Sequence, residues 1–283
     1  MAAKKFLEKI LVPIDGSASS LMAEETAAII AKKTGATVTV FNVAQELSVG
    51  YPLPRNVESE IIGHIEQEAD KIISDAKALF SEEGIPLETK KGRSSDPAES
   101  ILELSNQCDL VVMGARGENE PDPYAVGSIT KKVVRHALRP ILIVKKVSQL
   151  SNLLVCIDGS EHSIRAFDYA SKLAEFMGSR LTLLNVQEPR IYDYAPQTAK
   201  DLGERILSDA VNALGKEQLK IDKKVEFGVP SDKIVRFAEN GNHDLIVLGS
   251  RGLGTVKRFL LGSVSDDVVH KAKCSVLVIP AKA

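Results

Sequence analysis

The sequence predicts an α/β protein built from two open parallel-sheet domains in tandem, five strands in each. Three observations predict it. The chain is written twice: KILVPIDGSASS (Lys9–Ser20) matches LLVCIDGSEHS (Leu153–Ser163), VTVFNV (Val38–Val43) matches LTLLNV (Leu181–Val186), and DLVVMGARG (Asp109–Gly117) matches DLIVLGSRG (Asp244–Gly252). The offset is 143 residues for the first two pairs and 135 for the third, a period that marks a domain rather than a solenoid repeat. Within each half, short β-branched runs alternate with helical patterns, as in a parallel sheet covered on both faces. The runs Leu110–Met113 and Ile246–Leu248 are apolar without alternation, as strands buried on both faces should be.

The elements follow in order. First-half strands are expected at Ile10–Ile14, Thr37–Val43, Leu87–Lys91, Leu110–Met113 and Ile141–Val144. Lys32 and Lys33 before Gly35 put positive charge on the carboxyl end of the first helix. Ile61, Ile65, Ala69, Ile72, Ala76 and Leu79 recur at spacings of 4, 4, 3, 4 and 3, one face of a second helix. In the second half Ile164, Phe167, Ala170, Ala174 and Met177 do the same, and Gly178 stops that helix. The seam falls near Val147–Ser151, giving domains 1–147 and 148–283. The last strands, Ile141–Val144 and Val276–Ile279, are apolar edges that invite pairing with each other as an internal pseudo-dimer. A further homodimer stays open.

Composition narrows the function. Of 283 residues, 44% are apolar and 26% charged, as in a folded soluble protein, and the net charge of −2 offers no basic excess for general nucleic-acid binding. No apolar run approaches the ~20 residues of a membrane span, so no membrane insertion is expected. The opening MAAKKFLEKILVPID lacks the apolar core of a signal peptide. Cys108, Cys156 and Cys274 are too scattered for a disulfide framework or a zinc site. A cytoplasmic location is expected.

In doubly wound sheets, ligands sit beyond the carboxyl ends of strands where the strand order reverses. If the order is 3-2-1-4-5, the first strand, ending in Ile-Asp-Gly-Ser, and the fourth, ending in a glycine loop, are neighbours there. Asp15 and Gly114 then face one crevice, and Asp158 and Gly249 the other. The loops GARGENEPDPYAVGSIT (Gly114–Thr130) and GSRGLGTVKRFLLGSVS (Gly249–Ser265) share one frame: Gly, two residues, Gly, nine residues, Gly-Ser. Gly249 and Gly252 are free to take positive φ and let backbone N–H groups approach an anion. Gly262 and Ser263 precede a helix whose amino end has free donors. Ser263 and Ser265 add hydroxyls, and Lys257 and Arg258 add charge. Asp15 and Asp158 are read either as helix N-caps or as acceptors for a ribose hydroxyl or a base amino group. Arg116 and Arg251 fit a salt bridge or a carbonyl contact as well as a ligand contact. His136 and His270 lie near helix ends, where a dipole role is expected.

With the G-x2-G-x9-G-[ST] frame after the fourth strand and the Asp ending the first, the chain resembles the universal stress protein (UspA) family, as a tandem of two domains. The resemblance implies the adenine-nucleotide α-hydrolase-like fold, order 3-2-1-4-5, and pairing through the last strands. It implies an ATP site, with accompanying Mg2+ left open. In the second half it marks Asp158, Val186, Leu248, Gly249, Gly252, Gly262, Ser263, Val264 and Ser265, to which the loop adds Arg251. In the first half it marks Pro13, Asp15, Val43, Met113, Gly114, Gly117, Gly127, Ser128, Ile129 and Thr130. Cys156 departs from the pattern at the place of Pro13. The first loop carries Glu118, Glu120 and Asp122 and two prolines where the second has Lys257 and Arg258. Like charges near a polyphosphate repel by roughly 1 kcal/mol each at a wet surface. Tight ATP binding is therefore expected in the second half, and weaker ATP, AMP or no nucleotide in the first.

No Walker loop, G-x-G-x-x-G turn, H-E-x-x-H or paired-cysteine site is present. No residue stands out as a general base, so no catalytic or metal-binding residue is expected. The expected function is a nucleotide-responsive stress regulator that senses or stores adenine nucleotide. The alternatives are a slow ATP-hydrolysing enzyme or a non-catalytic dimerisation scaffold.

Overall fold

The structure, a computed structural model, describes residues 6–46, 54–117, 126–216, 220–252 and 261–281. The first half runs β1 (Lys9–Ile14), α1 (Ala18–Thr34), β2 (Thr37–Gln45), α2 (Arg55–Glu82), β3 (Leu87–Ser94), α3 (Pro97–Ser105), β4 (Leu110–Gly114), α4 (Ser128–His136) and β5 (Ile141–Val144). The second runs β6 (Asn152–Cys156), α5 (Glu161–Met177), β7 (Arg180–Gln187), α6 (Pro189–Tyr194), α7 (Pro196–Ala213), β8 (Ile221–Phe227), α8 (Pro230–Asn240), β9 (Leu245–Gly249), α9 (Ser263–Lys271) and β10 (Ser275–Ile279).

All ten strands form one sheet, ordered β3-β2-β1-β4-β5-β10-β9-β6-β7-β8. Each half thus has the order 3-2-1-4-5, and its internal pairings are parallel. The halves meet at one antiparallel pair, with Val276 opposite Ile143, Leu277 opposite Leu142 and Val278 opposite Ile141. The two apolar edges cover each other. The remaining outer edges, β3 and β8, carry Lys90, Lys91, Lys223 and Lys224, charges that discourage further strand addition.

Strand alternation divides the core between the two faces. Ile10, Val12 and Ile14 pack with α1 and α2, whereas Leu11 joins the layer under α3 and α4. β4 and β9 are buried throughout, as their unbroken apolar sequences require. Helix ends follow local chemistry. Ser17 and Ser160 cap α1 and α5, and the left-handed Gly35 (φ 71°) and Gly178 (φ 73°) close them. The halves differ mainly in the crossover from second to third strand, where α2 of 28 residues stands against α6 of 6 and α7 of 18.

Contacts across the seam extend beyond the strands. Phe6 packs edge-on to Tyr169 at 4.9 Å and stacks on Phe176 at 5.8 Å. Arg135 pairs with Asp266 at 3.1 Å, and Lys145 Nζ donates to the Ala272 carbonyl at 2.7 Å. Among the described residues no helix is long and apolar enough to cross a membrane.

Candidate functional site

The site begins with a turn. Gly159 takes φ 86° after β6, and the Asp158 Oδ1 accepts the Ser160 N–H at 2.9 Å. Ser160 Oγ then accepts the Ser163 N–H at 3.2 Å. The first half repeats this with Gly16 (φ 80°), Asp15 and Ser17, at 3.0 and 3.1 Å. The two readings of these aspartates are thereby separated. The serine caps the helix, while the aspartate holds the turn with one oxygen and points the other at the glycine loop. A Cβ on Gly252 would lie 2.5 Å from Asp158 Oδ2, and one on Gly117 would lie 3.0 Å from Asp15 Oδ2.

The glycines of the loop are needed for close approach. Positive φ, expected at Gly249 and Gly252, is found instead at Gly159, in the aspartate turn. A Cβ on Gly249 would lie 2.9 Å from the backbone of His162, and one on Gly114 would lie 2.6 Å from that of Ser19. Strand and helix start touch there, and only hydrogen fits. The Gly262 N–H donates to the Ser250 carbonyl at 2.8 Å, closing the loop's base. Ser265 Oγ, expected to donate to a ligand, gives its proton to the Gly249 carbonyl at 2.8 Å, as Thr130 Oγ1 does to Gly114 at 3.0 Å. Their hydroxyls pin the strand end to the following helix.

Gly262 and Gly127 are the N-caps of α9 and α4, and neither helix has a side-chain cap bond. Their first-turn N–H groups therefore keep donors to spare, beside exposed Ser263 and Val264 in the second half. All ten second-half residues expected at the site line one cavity of about 490 Å³: Asp158, Val186, Leu248, Gly249, Arg251, Gly252, Gly262, Ser263, Val264 and Ser265. All ten first-half residues line a second, of about 500 Å³: Pro13, Asp15, Val43, Met113, Gly114, Gly117, Gly127, Ser128, Ile129 and Thr130. Lys257 and Arg258, and the acidic stretch Glu118–Pro123, lie outside the described residues.

Sequence reasoning missed the far wall. In the second half Leu202 and Ile206 of α7 and Pro230 and Ile234 of α8 make an apolar end facing Leu184 and Val186. In the first half Pro97, Ile101 and a bulkier Phe41 stand there. Asn42 and Asn185, matching positions of the VTVFNV and LTLLNV runs, were not singled out in the sequence either. Each donates from Nδ2 to a carbonyl at the end of the first strand, Ile14 at 3.0 Å, or one residue past it, Ile157 at 2.7 Å, tying second strand to first. His270 Nδ1 lies 2.7 Å from the Asp266 carbonyl one turn earlier, inside the last turn of α9. Burial drives the Cys156 thiol well above its ordinary range, so the residue replacing Pro13 is a small neutral wall group. Among the described residues no group of three His, Cys, Asp or Glu side chains is arranged to hold a metal.

The comparisons with known proteins agree with this architecture. The model of the "Universal stress protein family" matches twice, at residues 7–145 and 150–280. A universal stress protein of Mycolicibacterium smegmatis is 26% identical over 95% of this chain and 96% of its own length. A putative universal stress protein of Staphylococcus aureus is 36% identical over 45% of this chain and 82% of its own. The crystal structure of a universal stress protein from Archaeoglobus fulgidus covers 98% of this chain and 99% of its own, with a TM-score of 0.76 at 23% identity, a likeness of fold. With both halves matched and the glycine frame intact in each, the chain belongs to the universal stress protein family, carrying two of its domains in tandem.

Proposed function

We propose that the chain binds adenine nucleotide, ATP foremost, in the cavity of its second half and serves as a nucleotide-responsive regulator in a stress response. One observation carries the reading: a carboxylate oxygen, an uncapped helix amino end and an apolar wall converge on a single cavity. Asp158 Oδ2 suits a ribose hydroxyl, the first-turn N–H groups of α9 suit phosphate oxygens, and Leu184, Val186 and Ile234 suit a flat base. Asp158 is the wall carboxylate nearest the loop and would also face a cation carried with the phosphates. The first cavity is the weaker candidate on sequence, since Glu118, Glu120 and Asp122 stand where the second half has Lys257 and Arg258.

The cavity supports binding better than turnover. Ser163, whose hydroxyl accepts the Asp158 N–H at 3.4 Å, gives its proton to the Ser160 carbonyl at 2.9 Å and is not turned toward a base. Multiple turnovers of labelled ATP with magnesium, well above background, would instead establish the slow-hydrolase reading.

The test is calorimetric titration of ATP into full-length protein freed of carried-over ligand. Saturable binding is expected for the wild type. Gly252→Val, which drives a branched side chain into Asp158, is expected to weaken it at least a hundredfold while the circular dichroism spectrum is retained. Unchanged affinity in that folded variant refutes the site.

A further inference from the structure

Three basic side chains gather behind the second glycine loop, at the amino end of α5. Arg165 Nη2 lies 2.8 Å from His162 Nδ1. A guanidinium has donors only, so this ring nitrogen accepts, and the neutral imidazole keeps its proton on Nε2. Burial depresses the His162 pKa first, and the positive charges of Arg165 and Arg251 depress it further. Arg251 is thus near enough for its charge to act on the same ring. The loop itself is held there, since the His162 backbone abuts Gly249, two residues before Arg251.

Counter-charge is scarce. Glu161 reaches Arg165 only at 3.7 Å, with its side chain 82% exposed. Asp158 also acts on His162, but its Oδ1 is already taken by the Ser160 N–H. Nε of Arg165 and Nε of Arg251 are both buried without an acceptor among the described residues. A buried donor left unpaired is costly, and both guanidiniums keep one. The first half keeps only Arg116, at the place of Arg251. Ser19 and Met22 occupy the positions of His162 and Arg165, and Ser19 Oγ accepts the Arg116 backbone N–H at 3.3 Å.

We propose that His162, Arg165 and Arg251 form an oxyanion site, special to the second half, that takes a phosphate-type anion. Guanidinium donors match the spacing of phosphate oxygens, and His162 Nε2–H supplies a further donor. The anion has two sources: free phosphate, or the terminal phosphate of a nucleotide in the cavity that Arg251 also lines. Only the second source rests on the nucleotide reading above.

The experiment uses the full chain freed of ligand, with Arg165→Met and His162→Ser, which install the residues of the first half. Inorganic phosphate, AMP and ATP are titrated by calorimetry, and His162 is followed by NMR across pH. If the source is free phosphate, wild type binds it saturably, the His162 midpoint rises on binding, and either variant weakens phosphate at least tenfold. If it is the nucleotide, inorganic phosphate does not bind. Arg165→Met then weakens ATP at least tenfold and AMP less than twofold, and ATP raises the His162 midpoint. Variants that change neither phosphate affinity nor the ATP-to-AMP ratio by twofold overturn the proposal, as does a wild type that takes up neither ligand. Phosphate binding without nucleotide binding overturns only the nucleotide reading. Arg165→Gln replaces Arg165→Met if the latter fails to fold.

Discussion

Glu24 shows what one residue does when a repeat diverges. It occupies the place of Phe167, and both side chains are buried, at 6% and 0% exposure. Loss of water raises the Glu24 carboxyl to about 7; Asp15 and Asp75 push it the same way, while a Ser20 hydrogen bond opposes them. The folded state therefore prefers the neutral acid. The resulting stability is fully present below the unfolded value and is lost as pH rises through about 7. Wild-type urea stability is expected to drop by about 1–3 kcal/mol between pH 5 and pH 8.5 from this group, and Glu24→Gln should flatten that drop. Equal pH slopes for the two proteins would discard the assignment. Its burial was hidden in the sequence, because a lone Glu within ASSLMAEETAAII reads as a solvated position. That Asp158 ends the first strand beside the glycine loop was legible, yet its division of labour between turn and loop depends on Gly159, whose φ no spacing reveals.

At the scale of elements, the five first-half strands and the helices α2 and α5 were read directly, whereas α7 and β8 were not. The 4, 4, 3, 4, 3 spacing located α2, and the β-branched runs located the strands to within a few residues. The third strand runs three residues past the expected Lys91, because β2 continues to pair with it as far as Gln45 opposite Ser94. α6 escaped notice, since six residues, PRIYDY, are too few to display a helical period. The paired serine caps are a testable economy of design. Ser160→Ala should destabilise the second half by about 1 kcal/mol, with α5 amides near Ser163 losing hydrogen-exchange protection. Unaltered exchange there would mean that the cap bond contributes little.

For the molecule as a whole, the seam decides whether the halves act as one body. Leu142 and Leu277 face each other across β5 and β10, each 1% exposed. With the Phe6–Tyr169 and Arg135–Asp266 contacts added, wild type is expected to unfold in a single calorimetric transition. Leu142→Asp buries an unpaired carboxylate in the seam and should cost about 3 kcal/mol or more, splitting the melt into two. A single unsplit transition in that variant would show that the seam is not what couples the halves. The apolar last strands announced this pairing in the sequence. That it is antiparallel was not announced, since a strand's composition carries no direction.

That antiparallel junction has a geometric result. Each cavity lies at the carboxyl ends of its own strands, so the two mouths open on opposite rims of one continuous sheet. A single small molecule has no way to bridge them, and a protein docked over one leaves the other uncovered. Occupancy of one mouth is therefore presented on the side of the sheet's rim opposite to the other, which leaves the two ends sterically independent.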